Sequence, residues 1–95
     1  MPAYWIAHIT VTNENGYGEY LKRATPAVEG HGGRFLARGG RHVTKEGRDH
    51  PRNVVVEFPS LEAAEGCYDS REYQEALRFA SVSSERHLSI VESAG

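Results

Sequence analysis

Three residues carry the chemistry this sequence could perform: His8, Arg38 and Glu57. Arg38 and Glu57 fall in strand-forming stretches on either side of a turn centred near Gly47 and Arg48. Counting back equally from that centre places them close to opposite each other. His8, in the first strand, then flanks Glu57 from its other side. A carboxylate between a guanidinium and an imidazole has two uses. It can be a paired ion cluster that fixes register inside an interface. It can also be a general base beside an arginine that anchors an anionic ligand. The residues leave both readings open. All three are therefore candidate catalytic residues, and Arg38 and Glu57 are candidate ligand contacts.

The tyrosines come next. Tyr17, Tyr20, Tyr68 and Tyr73 recur at helical spacing on faces turned towards a sheet. Such residues are core by default. With Trp5 and Phe35 they could also line an aromatic pocket between helices and sheet. Tyr20 and Tyr68 are the candidate ligand contacts among them. The remaining reactive side chains read as structural. None of the five histidines forms a His-x-x-x-His or Glu-x-x-His pair on one face, so no metal site is expected. His31 stands at a helix end, where it can bond the last carbonyls. Cys67 is the single cysteine, which excludes an internal disulfide; among apolar helical neighbours it acts as a small hydrophobe. Gly30-His31-Gly32-Gly33 runs from helix to strand, the reverse of a dinucleotide loop. No cofactor is expected.

The elements that would position these residues follow from periodicity. Residues 3–12 are rich in β-branched and aromatic types and read as a strand. Trp5, Ala7, Ile9 and Val11 share one face of it; Tyr4, Ile6, His8 and Thr10 share the other. Asn13 to Gly16 is turn chemistry. Tyr17, Tyr20, Leu21, Ala24, Ala27 and Val28 then form a helical stripe. Pro26 kinks that helix near Thr25, or restarts it with Thr25 as N-cap. Residues 34–38 form a second strand, and Gly39-Gly40 suggests a bulge or bend. Residues 41–52 are charged and polar and read as a solvated arm, with a short extra strand at 41–45 as an option. Residues 53–58 are apolar on both faces and read as a central strand. Ser60 caps a short helix carrying Leu61, Ala64, Cys67 and Tyr68. Asp69, with Glu72 three residues on, caps a second one carrying Tyr73, Ala76, Leu77 and Ala80. Residues 81–85 read as a polar linker and 86–92 as the last strand.

The order β-α-β-β-α-β predicts an α+β, ferredoxin-like fold over one domain, residues 1–95, with the first and third strands central in an antiparallel sheet. Both helical segments then cover one face. The other face carries Ile6, His8, Leu36, Arg38, Val55 and Glu57, too many large aliphatics for water alone. A homodimer would bury it.

Composition narrows the function classes. The chain has 95 residues, 39% hydrophobic and 25% charged, with a net charge of -2. That is one globular domain without the basic excess nucleic acid requires. No apolar run approaches the ~20 residues of a membrane span, and no signal peptide is visible, so a cytoplasmic protein is expected.

Four stretches also resemble a known family. His31 to Gly40, Val56 to Ala64, Tyr68 to Gln74 and the opening Ala3-Tyr4-Trp5-Ile6-Ala7 look like the domain-of-unknown-function family 1330 (DUF1330). The resemblance spans nearly the whole chain. Arg71 departs from it, since the family more often has proline before Glu-Tyr, and the arm 44–52 is extended. The resemblance implies a dimeric α+β barrel in which two sheets meet face to face with helices outside. It implies no established reaction: the wider superfamily holds cofactor-independent monooxygenases, isomerases and haem enzymes. Two functions stay open. One is a homodimeric module that binds a small organic molecule, with a small organic acid as an option, or serves as an accessory protein, without catalysis of its own. The other is a cofactor-independent isomerase or monooxygenase-like enzyme acting on a small, partly aromatic acid through His8, Arg38 and Glu57.

Overall fold

Strand β1 (Ala3–Val11) buries every second residue, Ala3, Trp5, Ala7 and Ile9, against helices. That is the face the alternation predicts. The structure, a computed structural model, describes all residues from Met1 to Gly95. Helix α1 (Glu14–Gly30) follows; then come β2 (Arg34–Arg38), β3 (Arg52–Phe58), α2 (Leu61–Asp69), α3 (Arg71–Ser83) and β4 (Ser84–Glu92). The sheet order is β2-β3-β1-β4, antiparallel throughout, with β1 and β3 central as expected. This is the ferredoxin-like α+β fold. No helix is long and apolar enough to cross a membrane.

The core lies between the sheet and the helices. Tyr73 and Phe58 are its largest fully buried side chains. The Trp5 ring lies 4.9 Å from Tyr73 and 5.1 Å from Phe58. Its indole N–H donates to the Ala64 carbonyl at 3.0 Å, which ties α2 to β1. Cys67 is buried, and burial pushes its thiol up to about 12, as suits a small core hydrophobe.

Element ends show where local chemistry differs from the expectation. The stretch Asn13 to Gly16 is the start of α1, not a separate turn: the Asn13 side chain accepts from the Gly16 N–H at 3.0 Å as an N-cap. Helix α1 runs through Pro26 as one element, without a restart at Thr25. His31 closes it, its ring Nδ1 bonding the Ala27 carbonyl at 2.8 Å. Gly33 then lets the chain turn tightly into β2, since a Cβ there would meet Val28 Cγ1 at 2.6 Å and Phe58 Cε1 at 2.9 Å. Ser70 rather than Asp69 caps α3, accepting from the Tyr73 N–H at 3.2 Å. The expected linker 81–85 does not exist. Ser81, Ser83 and Ser84 turn their hydroxyls back to the carbonyls of Leu77, Phe79 and Ala80, so polar residues complete the helix end instead of breaking it.

Two differences matter for the site. The arm between β2 and β3 holds no strand at 41–45. It folds back over one end of the open sheet face, where Arg48 pairs with Glu85 at 2.6 Å and His50 is only 6% exposed. The second difference is a β-bulge. Arg34 and Phe35 pair with Glu57 and Val56, but Ala37 pairs with Val55, leaving Leu36 as an extra residue. A bulge of one residue moves every later side chain of β2 to the other face.

Candidate functional site

Register and bulge keep apart the three residues first proposed to act together: Arg34, not Arg38, lies opposite Glu57, and the bulge turns Arg38 away from the open face. Arg38 pairs with Val54 and turns towards the helices, where it stacks on Phe35 at 4.0 Å and donates to Thr25 Oγ1 of α1. Glu57 stays on the open face and pairs with Arg34 at 2.9 Å. His8 is on that face too but four residues along β1 from Tyr4, the partner of Glu57; it bonds Asn53 at 2.6 Å instead. The expected cluster of His8, Arg38 and Glu57 therefore does not form. Counting from the turn failed because the arm is not a regular hairpin and the bulge shifts the register.

The helix side of the sheet holds a cavity of different character. Trp5, Tyr17, Tyr20 and Phe35 supply its aromatic wall, with aliphatic residues of β1, β3, β4 and α1 around them. Of the tyrosines first considered, Tyr20 lines it. Tyr68 lies in a neighbouring hollow beside Arg86 and Leu88. As it stands the cavity holds about 40 Å³, room for a few waters at roughly 10–15 Å³ each; counted with the open solvent beside it, the empty space is about 430 Å³.

The electrostatics of this cavity are one-sided. Its lining includes three arginines, Arg38, Arg52 and Arg86, and no Asp, Glu, Lys or His. None of the three makes a salt bridge; the five ion pairs of the chain use other cations. Arg52 and Arg86 flank Ile9 on the two neighbouring strands, so both enter the same layer. Arg52 lies over the Tyr17 ring at 5.6 Å and Arg86 over the Tyr20 ring at 4.8 Å. One Arg86 nitrogen donates to the hydroxyls of Tyr20 and Tyr73 at 3.3 and 3.2 Å, and those hydroxyls bond each other at 2.9 Å. Arg86 Nη1 and Arg52 Nε are buried and have no hydrogen-bond partner. Each such charged N–H shut away from water costs on the order of 1–3 kcal/mol.

The tyrosines do not neutralise this charge. Burial raises the Tyr17 phenol above its ordinary value, Tyr20 adds to the shift, and Arg86 and Arg52 only partly oppose it. Burial likewise holds the Tyr73 phenol far above the usual range. Both are neutral at neutral pH. For Arg86, burial works against the charge, but the Tyr20 and Tyr73 oxygens outweigh it and the pKa is raised. The cavity is therefore an apolar pocket with fixed positive charge and no counter-ion. It can hold an anion; it contains no group suited to remove a proton at neutral pH.

Arg52 and Arg86 were not among the candidates. Arg52 read as the end of the solvated arm, and Arg86 as the first residue of a strand. The signal was parity: Arg52 shares a face with Val54, Val56 and Phe58, and Arg86 with Leu88 and Ile90. A charged residue in register with an apolar stripe is a cation entering the core.

Comparison with solved structures places the fold. A protein of unknown function from Rhodopseudomonas palustris superposes with a TM-score of 0.81 at 16% identity, covering 99% of this chain and 83% of the other. A dimeric ferredoxin-like protein of unknown function from Jannaschia sp. CCS1 gives a TM-score of 0.72 at 12% identity, over 98% and 100% of the two chains. SnoaB, a cofactor-independent oxygenase from Streptomyces nogalater, gives 0.61 at 11% identity, over 99% and 94%. No curated protein matches the sequence. The profile of a domain of unknown function does match, over residues 2–94, and the chain belongs to that family, DUF1330.

Proposed function

We propose that this protein is a homodimeric binding module for a small organic acid, seated in the cavity between α1 and the sheet. One observation carries the ligand: three arginines line an otherwise apolar cavity with no carboxylate among them, and two hold buried N–H groups without partners. A carboxylate supplies the missing acceptor in charge-assisted form. The aromatic wall suits a short or flat carbon skeleton. The cavity is small as it stands, so the acid enters as the lining side chains move apart. The absence of imidazole and carboxylate from the lining favours binding over proton transfer.

The test is a thermal-shift screen of short and single-ring carboxylic acids against wild type, Arg86→Met and Arg52→Met. At ten times Kd a ligand adds about 1.4 kcal/mol to the native state. For a domain of this size that is a rise of roughly 6–11 °C. The rise should vanish in Arg86→Met. If no acid raises Tm, or all three proteins respond alike, the reading is wrong.

The dimer rests on the open sheet face, where Tyr4, Ile6, Val55 and Val91 lie uncovered by any helix. Sheet-to-sheet packing with a second copy buries them. Light scattering should give twice the chain mass at micromolar concentration, and Ile6→Lys should give monomers. A monomeric wild type would overturn this part.

A further inference from the structure

The two unpartnered N–H groups belong to different arginines on different strands, and that bears on the ligand's charge. We propose that the ligand carries two acid groups: a short dicarboxylate, one end held by Arg86 and the other by Arg52. This rests on the anion-binding reading above and specifies its ligand class. Arg52 and Arg86 both pair with Ile9, from opposite sides of β1. Their Cα atoms are thus two strand spacings apart, roughly 10 Å. Each guanidinium lies over its own tyrosine, and the two rings, Tyr17 and Tyr20, are 5.1 Å apart. The long side chains therefore converge without merging into one fork.

A single carboxylate on Arg86 leaves the buried Arg52 Nε without an acceptor. A second carboxylate supplies one. Ile9 lies between the two arginines and offers an apolar floor for a short methylene spacer. The third arginine, Arg38, is stacked on Phe35 and bonded to Thr25, and it leaves no buried N–H without a partner. Two acid groups, not three, match what is left unpaired.

Matched acids test this. Calorimetric titration of the full chain with succinate against butyrate, and malonate against propionate, at constant ionic strength, compares one acid group with two. Each dicarboxylate should bind about tenfold tighter or more than its partner, the gain of one charge-assisted contact. Arg52→Met should bring that ratio close to one. Arg52→Lys keeps the charge and should keep part of the preference, which guards against a folding defect in the methionine variant. Equal affinity for succinate and butyrate in wild type overturns the dicarboxylate and leaves the anion site standing. A preference that survives Arg52→Met also overturns it. If no acid binds, the anion site itself fails.

Discussion

The two faces of this one sheet treat charge in opposite ways. On the open face the charged side chains are largely paired within the protein: Arg34 with Glu57, His8 with Asn53, Thr10 with His50, Arg48 with Glu85. On the helix face three arginines stand in an apolar cavity with tyrosine hydroxyls, a threonine and ring faces but no acid. The first arrangement balances most of its charge from within. The second is incomplete, and incompleteness in a closed apolar space is what selects a guest. The residue types alone pointed to the first face. Partnering, which depends on register, points to the second.

The largest expected effect is in the packing behind the cavity. Tyr73→Ala removes a fully buried ring that touches Trp5 and bonds Tyr20, and should cost about 3–5 kcal/mol in urea unfolding. Tyr4→Ala, on the open face, should cost well under that when measured at a concentration where the chain is monomeric; an equal loss would erase the contrast between faces. The pH limits should separate the faces next. Cys67 and Tyr17 both have raised values behind the helix face. A raised acid is protonated in both states at neutral pH, and the unfolded thiol ionises first as pH climbs. Stability is then full below the ordinary thiol value of 9.0 and falls as pH rises towards about 12. Asp49, in the arm, is lowered by hydrogen bonds from Thr44 and His42, so its contribution is present above its ordinary value of 3.8 and lost as pH falls. Unfolding curves across pH should show Cys67→Ala flattening the alkaline limb and Asp49→Asn the acid one. An alkaline limb unchanged in Cys67→Ala would refute the first assignment. The smallest effect is the exposed pair. A double-mutant cycle on Arg34 and Glu57, whose side chains are 73% and 28% exposed, should give about 0.2–1 kcal/mol. The same cycle on Arg38 and Glu57 should give coupling near zero, and a larger value would restore the pairing that the register disallows.

Most of the fold was legible because it depends on patterns that tolerate small errors. The alternation at Trp5, Ala7 and Ile9, the doubly apolar 53–58 and the Ser60 cap each survive a shift of one residue at an element's end. The site does not. Which residue meets Glu57 turns on the length of the arm, which sets Arg34 rather than Arg38 opposite it, and which face Arg38 takes turns on a single extra residue at Leu36; no local preference in Phe35-Leu36-Ala37 announces a bulge there. Gly39-Gly40 drew attention to a bend a few residues too late. Arg52 and Arg86 were legible in principle, since their parity with apolar neighbours is in the sequence. They were passed over because arginine at the edge of a polar stretch is ordinarily a surface residue. His50 was missed for the same reason: nothing in a charged arm says which of its side chains will be folded under it.

The bulge at Leu36 also has a consequence for descent. A chain that lost residue 36 would pair Arg34, Phe35 and Ala37 in unbroken alternation and would still send Arg38 to the cavity. A chain that lost a residue anywhere between the bulge and Arg38 after the bulge had been removed would send it to the open face. Position 36 is thus a slot where a lineage can gain or drop one codon without redirecting the cation. Two relatives aligned with a gap at that slot would share a site, whereas the same gap drawn one strand later would set unlike residues side by side.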